Sequence, residues 1–180
     1  MEIKINGIKI FAFSDTHGMH RKLRIPTDTD ILICAGDAVE DDLDPVAYKD
    51  FLDWFEEQPG YKKIFVPGNH ELSFDIAPKL AELIFLNRDI LLGCNRSLIY
   101  GGLSFYMMST PAIPLEYEDI ARKADFIISH YPAEMIQDYE SLTPEYFIHG
   151  HIHGCGGERK LIYSTLYCNC SKYDELIKLK

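Results

Sequence analysis

Basic charge is in short supply in this chain. Its 18 Lys and Arg face 28 Asp and Glu, for a formal net charge of −10 over 180 residues. Surfaces that bind nucleic-acid duplexes by releasing counterions are basic, so a duplex is not the expected partner. A phosphate-containing substrate is not excluded, because a bound cation reverses the sign of a pocket locally. Cysteine is also sparse: Cys34, Cys94, Cys155, Cys168 and Cys170 are odd in number and lack the spacing of a disulfide framework. No apolar run approaches the length of a membrane span, so no membrane partner is expected. The first residues, MEIKINGIKIFAFSD, are interrupted by charge and followed by no small-residue cleavage site. A cytoplasmic location follows as the expectation. Repeats, low-complexity tracts and Ser/Gly linkers are absent, which predicts one domain over residues 1–180. Oligomeric state is not legible.

Short apolar runs that end in polar residues recur along the chain. IKIFAFSD (8–15), ILICAGD (31–37) and KKIFVPGNHE (62–71) read as buried strands, and Asn6-Gly7 predicts a tight hairpin between EIKI and the first of them. PVAYKDFLDWFEEQPG (45–60) has helical spacing, with Pro45 near its start and Gly60 after its end. A second helix is predicted over 76–87 and a short one over 117–124. SLIYGGLSFYMMS (97–109) predicts a hairpin at Gly101-Gly102, and two final strands are predicted near 160–164 and 166–171. This strand–helix alternation, with antiparallel strands mixed in, is of the α/β type.

Histidine is scarce, with seven in the chain, yet FIHGHIHG (147–154) holds His149, His151 and His153 at alternate positions. On an extended strand those three would share a face. The other strand ends carry the remaining polar groups: Asp15 and His17 in SDTHG, Asp37 in AGD, Asn69 and His70 in PGNHE, and His130 in ISHYP. In open α/β sheets the carboxyl ends of strands form the ligand crevice, so separate strand ends can deliver these groups to one place. Singly, Asp15 and Asp37 read as turn residues and His130 as a core or surface histidine. The complete ordered set, all at strand ends, reads as a metal site.

The series D-x-H, G-D, G-N-H-E, H and G-H-x-H, spanning residues 15–153, resembles the calcineurin-like metallophosphoesterase superfamily. GNHELSFD, DILICAGD, the helix with FLDWF and GHIHGCGG are similar to its small branch that includes brain proteins with cyclic-nucleotide phosphodiesterase activity. The resemblance implies two mixed β-sheets packed face to face with flanking helices, a four-layer αββα sandwich. It also implies two divalent transition-metal ions. One would be held by Asp15, His17, Asp37 and His153, and the other by Asp37 as a bridge, Asn69, His130 and His151. Oxygen and imidazole donors without thiolate suit Mn2+, Fe2+/Fe3+, Zn2+, Co2+ or Ni2+, and a shared carboxylate is what keeps two such ions together. The reaction implied is phosphoester hydrolysis by a metal-bridging hydroxide, with His70 as the catalytic histidine that protonates the leaving group.

His149, a further step back along the strand, is expected to pack behind the ligands. His20 is expected to be exposed, and Glu71 either supports a ligand or begins the next segment. Cys155 reads as a turn residue, and Cys168 and Cys170 as a buried pair on one strand face. Serine/threonine phosphatases of the superfamily carry an arginine shortly after the bridging aspartate. Here GDAVEDD places Glu40, Asp41 and Asp42 there, with Asp44 beyond. A dianionic monoester loses its clamp in such a pocket, which favours a phosphodiesterase. Tyr131 and Ala112 depart from the narrower branch, which tends to have glycine and an aromatic residue at those positions. The alternatives are a phosphomonoesterase or protein phosphatase, and a catalytically inactive metal-binding scaffold.

Overall fold

The computed structural model describes residues 1–40 and 45–179. Strands β1 (Glu2–Ile5) and β2 (Ile8–Phe13) form the predicted hairpin, and β3 (Ile31–Cys34) precedes helix α1 (Pro45–Glu57) and strand β4 (Lys62–Phe65). Helices α2 (Leu72–Ile76) and α3 (Pro78–Leu83) lead to β5 (Leu91–Leu92), β6 (Arg96–Tyr100) and β7 (Leu103–Met108). Helix α4 (Glu118–Arg122), strands β8 (Phe126–Ser129), β9 (Tyr146–His149), β10 (Arg159–Ile162) and β11 (Thr165–Asn169), and helix α5 (Tyr173–Leu176) complete the order. Both hairpin turns have positive φ at their two central residues, Asn6 (50°) and Gly7 (83°), then Gly101 (58°) and Gly102 (80°). That is the backbone a two-residue hairpin needs to match strand twist.

The strands make two mixed sheets, ordered β1-β2-β3-β4-β5 and β10-β11-β9-β8-β7-β6. In the first, β1 is antiparallel to β2 and the others are parallel; in the second, β6 and β10 are the antiparallel edges. Side-chain alternation then sorts the apolar residues into three cores. Ile10, Ala12, Ile31, Ile33 and Ile64 face Phe105, Met107, Phe126 and Ile128 between the sheets. On the outer face of the first sheet, Phe13, Leu32, Cys34 and Phe65 meet Phe51, Trp54 and Phe55 of α1. On the outer face of the second, Tyr106, Ile127 and Phe147 meet Ala121 of α4 and Ile136. The result is the expected αββα layering. Among the described residues no helix is long and apolar enough to cross a membrane.

Three local expectations are corrected. The helix read over 76–87 is broken at Ala77, because Pro78 has no N–H to continue α2 and instead opens α3. His20 is 2% exposed rather than on the surface. Its ring packs 5.3 Å from Phe51 and 5.0 Å from Trp54, with Nε2 3.2 Å from Asp50 Oδ2. The polar look of MHRK hid this, since α1 supplies the cover. Finally, the strand carrying FIHGHIHG stops at His149, and His151 has φ +69°. Alternation therefore does not run from His149 to His153. His149 is turned to a side cavity with Tyr167 and Asn169. Asp41, Asp42 and Asp44 lie outside the described residues.

Candidate metal centre

Strands β2, β3 and β4 run parallel in one sheet, as do β7, β8 and β9 in the other. Their carboxyl ends lie at a common edge, where the two sheets are joined. Ser14, just past β2, bridges in parallel to Ser171, just past β11. Ser14 N–H donates to Cys170 O (3.2 Å) and Lys172 N–H to Ser14 O (3.0 Å). Each chain reversal after a strand delivers a side chain. Asp15, His17, Asp37 and His151 all do so with φ between 42° and 69°. Non-glycine residues rarely hold that backbone, and where they do the surrounding structure is compensating for strain, commonly at functional sites.

The seven predicted donors converge as two groups. In the first, His153 Nε2 lies 3.2 Å from Asp15 Oδ1 and 3.3 Å from His17 Nε2, and His17 Nε2 lies 3.9 Å from Asp37 Oδ2. In the second, Asn69 Oδ1 lies 3.0 Å from His130 Nε2 and 2.8 Å from His151 Nδ1, and His130 Nε2 lies 3.3 Å from Asp37 Oδ2. One atom, Asp37 Oδ2, thus belongs to both. Asp15 is fully buried and Asp37 is 2% exposed.

Donor atoms of like kind face one another here at short range. His17 Nε2 and His153 Nε2 are 3.3 Å apart, as are His130 Nε2 and His151 Nδ1. Such convergence of lone pairs around buried carboxylates fits cations, and the nitrogen and oxygen donor set without thiolate fits divalent transition metals. The tautomer of His130 is prepared for this. Its Nδ1 is 2.8 Å from Ala35 O, so a proton donated there leaves Nε2 bare toward the cluster. Burial opposes charge on both His130 and Asp37, but their pairing prevails, raising the imidazole and lowering the carboxyl from their ordinary values. A cation occupying the group has to displace any proton held there.

The outer groups are as informative. Glu71, 1% exposed, accepts the backbone N–H of Asp37 (2.8 Å), Ala38 (2.8 Å), Val39 (3.5 Å) and Gly68. It therefore ties the loop after β3 to the loop after β4. Burial, followed by the Asp37 charge, pushes its carboxyl up to about 7. Gly68 lies so close that an added Cβ would stand 2.3 Å from Asp37 Oδ1. Replacing Glu71 by Gln turns an NH2 toward two of those N–H donors. We expect a stability loss of about 1–3 kcal/mol, read as a lowered urea midpoint with unchanged slope.

His70 is brought to the rim, with 41% of its side chain exposed. Its backbone N–H donates to Asp37 Oδ1 (2.9 Å), and its ring stands edge-on to His17 at 4.6 Å. Glu40, read from the sequence only as an unfavourable acid, spans two site histidines. Its Oε2 is 3.3 Å from His70 Nδ1 and its Oε1 is 2.9 Å from His17 Nδ1. The His17 contact lies off hydrogen-bonding geometry, and burial holds that imidazole below its ordinary value. The one sequence signal for Glu40 was its place three residues after Asp37. Tyr173 had none: from α5 it stacks on His153 at 4.2 Å and meets His17 edge-on at 5.2 Å. Cys155 is exposed in the turn after His153, while Cys168 and Cys170 are buried between the sheets.

Several known proteins are similar to this chain. Metallophosphoesterase domain-containing protein 1 of Homo sapiens is 44% identical over 67 residues, which are 37% of this chain and 20% of that protein. The Mus musculus protein of that name matches equally, so the match spans a fifth of either relative. A UPF0046 protein of Caenorhabditis elegans is 26% identical over an alignment covering 82% of this chain and 69% of its own length. The phosphopantetheinyl hydrolase PptH of Mycobacterium tuberculosis shares the fold, with a TM-score of 0.66 at 14% identity over 95% of this chain and 92% of that one. Residues 8–155 match the calcineurin-like phosphoesterase family, a range that holds all seven donors and His70, and the chain belongs to that family.

Proposed function

We propose that this chain hydrolyses phosphoesters with two divalent cations and prefers phosphodiesters. The observation that carries the reading is Asp37 Oδ2, set within 3.9 Å of His17 Nε2 and 3.3 Å of His130 Nε2. Asp15, His17 and His153 would complete one cation's ligands, and Asn69, His130 and His151 the other's. Bound there, the cations would polarise a phosphoryl oxygen and supply activated water at neutral pH.

The chain's own residues do the rest. Glu71 and the Asp37–His70 backbone bond hold the bridging carboxylate in place. His70 stands at the rim with Nδ1 3.3 Å from Glu40 Oε2, and a proton carried on Nε2 would pass to the leaving oxygen. Glu40 fixes which way that ring faces. Mn2+, Fe2+/Fe3+, Zn2+, Co2+ and Ni2+ all suit the donor set.

Substrate charge follows from what lines the rim. Among the described residues no Lys or Arg pairs with a site residue, and Glu40 stands beside His70. A dianionic monoester has no fork of donors to meet its extra charge, whereas a diester anion asks for less. Bis-p-nitrophenyl phosphate should therefore exceed p-nitrophenyl phosphate in kcat/KM, with each metal supplied singly. A higher value for the monoester would reverse the assignment to a phosphomonoesterase. Turnover of neither ester with any of the metals would leave a metal-binding scaffold.

A further inference from the structure

Tyr131 stands against the second donor group without being part of it. Its ring centroid is 5.5 Å from that of His130 and 5.6 Å from that of His151, at interplanar angles of 79° and 51°. The main chain sets its position: its N–H donates to Ser129 Oγ (3.0 Å), and Pro132 follows at φ −63°. The side chain is half-buried, and among the described residues its hydroxyl makes no hydrogen bond. The charges that face it from Asp75, Asp37 and Glu71 are all acidic.

His70 occupies the other side. Its ring is 4.6 Å from that of His17, a member of the first donor group. A proton donor for the leaving oxygen thus sits beside one group and a phenol ring beside the other. A phosphodiester brings one substituent that leaves and one that stays on phosphorus. We propose that Tyr131 receives the substituent that stays, and that the site selects substrates whose retained group is a planar aromatic or heteroaromatic ring. The proposal rests on the phosphoester-hydrolase reading above.

Ring–ring contacts in offset or edge-on geometry add attraction beyond the area they bury, which an aliphatic substituent does not gain. The free hydroxyl can bond a ring nitrogen or carbonyl without breaking a bond already made. Asp75, the first of these charges and not one of the proposed ligands, disfavours a second anion at this end, in keeping with a diester. The competing role is mechanical: the ring does no more than prop His151.

Phosphonates separate the two, because a carbon–phosphorus bond keeps its substituent on phosphorus. Calorimetry on the metal-loaded protein would compare methyl phenylphosphonate with methyl methylphosphonate, alongside elemental analysis of each variant. The wild type should bind the phenyl compound more tightly. Tyr131→Phe should keep most of that ratio, and Tyr131→Leu should lower it by roughly three- to tenfold with both metals retained. A matching fall should appear in the KM ratio of p-nitrophenyl phenylphosphonate and p-nitrophenyl methylphosphonate, which share one leaving group. An unchanged ratio in Tyr131→Leu, or loss of metal from it, would overturn the proposal in favour of a prop for His151. Failure of the wild type to bind either phosphonate would remove the phosphoester reading as well.

Discussion

Asp37→Asn should lose both metals and all hydrolysis above background in a single step. The two donor groups share one atom, Asp37 Oδ2, with His17 Nε2 3.9 Å away on one side and His130 Nε2 3.3 Å away on the other. An amide of the same shape keeps an acceptor for the His70 N–H, so the loop after β4 has no reason to move. What it removes is the negative charge that lets one oxygen serve two cations. The loss should exceed that of Asn69→Ala, which thins only the group containing His130 and His151. Elemental analysis of purified Asp37→Asn checks this, beside turnover of bis-p-nitrophenyl phosphate. Two metals retained per chain would show that the carboxylate does not bridge.

His70→Asn should behave in the opposite way, keeping its metals while kcat falls by about 10²–10⁴. The contact of His70 with Asp37 Oδ1 is made by the backbone N–H (2.9 Å), which every substitution except proline preserves. The imidazole is 41% exposed and its Nδ1 meets Glu40 Oε2 at 3.3 Å, so its removal leaves no buried donor group short of a member. Because protonation of the leaving oxygen is a transition-state interaction, kcat and kcat/KM should fall together. The deficit should shrink for a leaving group acidic enough to depart without a proton. If metal content fell with activity, His70 would instead be holding the centre together.

Much of this site was legible because the strands that build it are short, apolar and abruptly polar at their ends. Buried parallel strands expose no polar residue until they reach the edge, so SDTHG, AGD, PGNHE and ISHYP marked where chemistry begins. The layering followed from the same runs and the resemblance they supported. What escaped the sequence depends on contacts between distant segments. Glu71 was read as either a support for a ligand or the start of the next segment, and what decides between them is its bonds to backbone N–H groups 32 to 34 residues away. Glu40 read only as an acid unfavourable to a dianion, with nothing in the pattern to set it across His17 and His70. His20 looked exposed because its cover, Phe51 and Trp54, comes from a helix some thirty residues on. The alternation in FIHGHIHG suggested a longer strand than exists, since a histidine at φ +69° is not the default of any local rule.

The central claim is that one carboxylate organises two cation sites that act together. Stepwise titration of metal-free protein with Mn2+, following bound metal and bis-p-nitrophenyl phosphate hydrolysis in the same samples, tests it most directly. The account predicts that two equivalents bind per chain and that activity rises with the second. Saturation of binding and activity at one equivalent would contradict it.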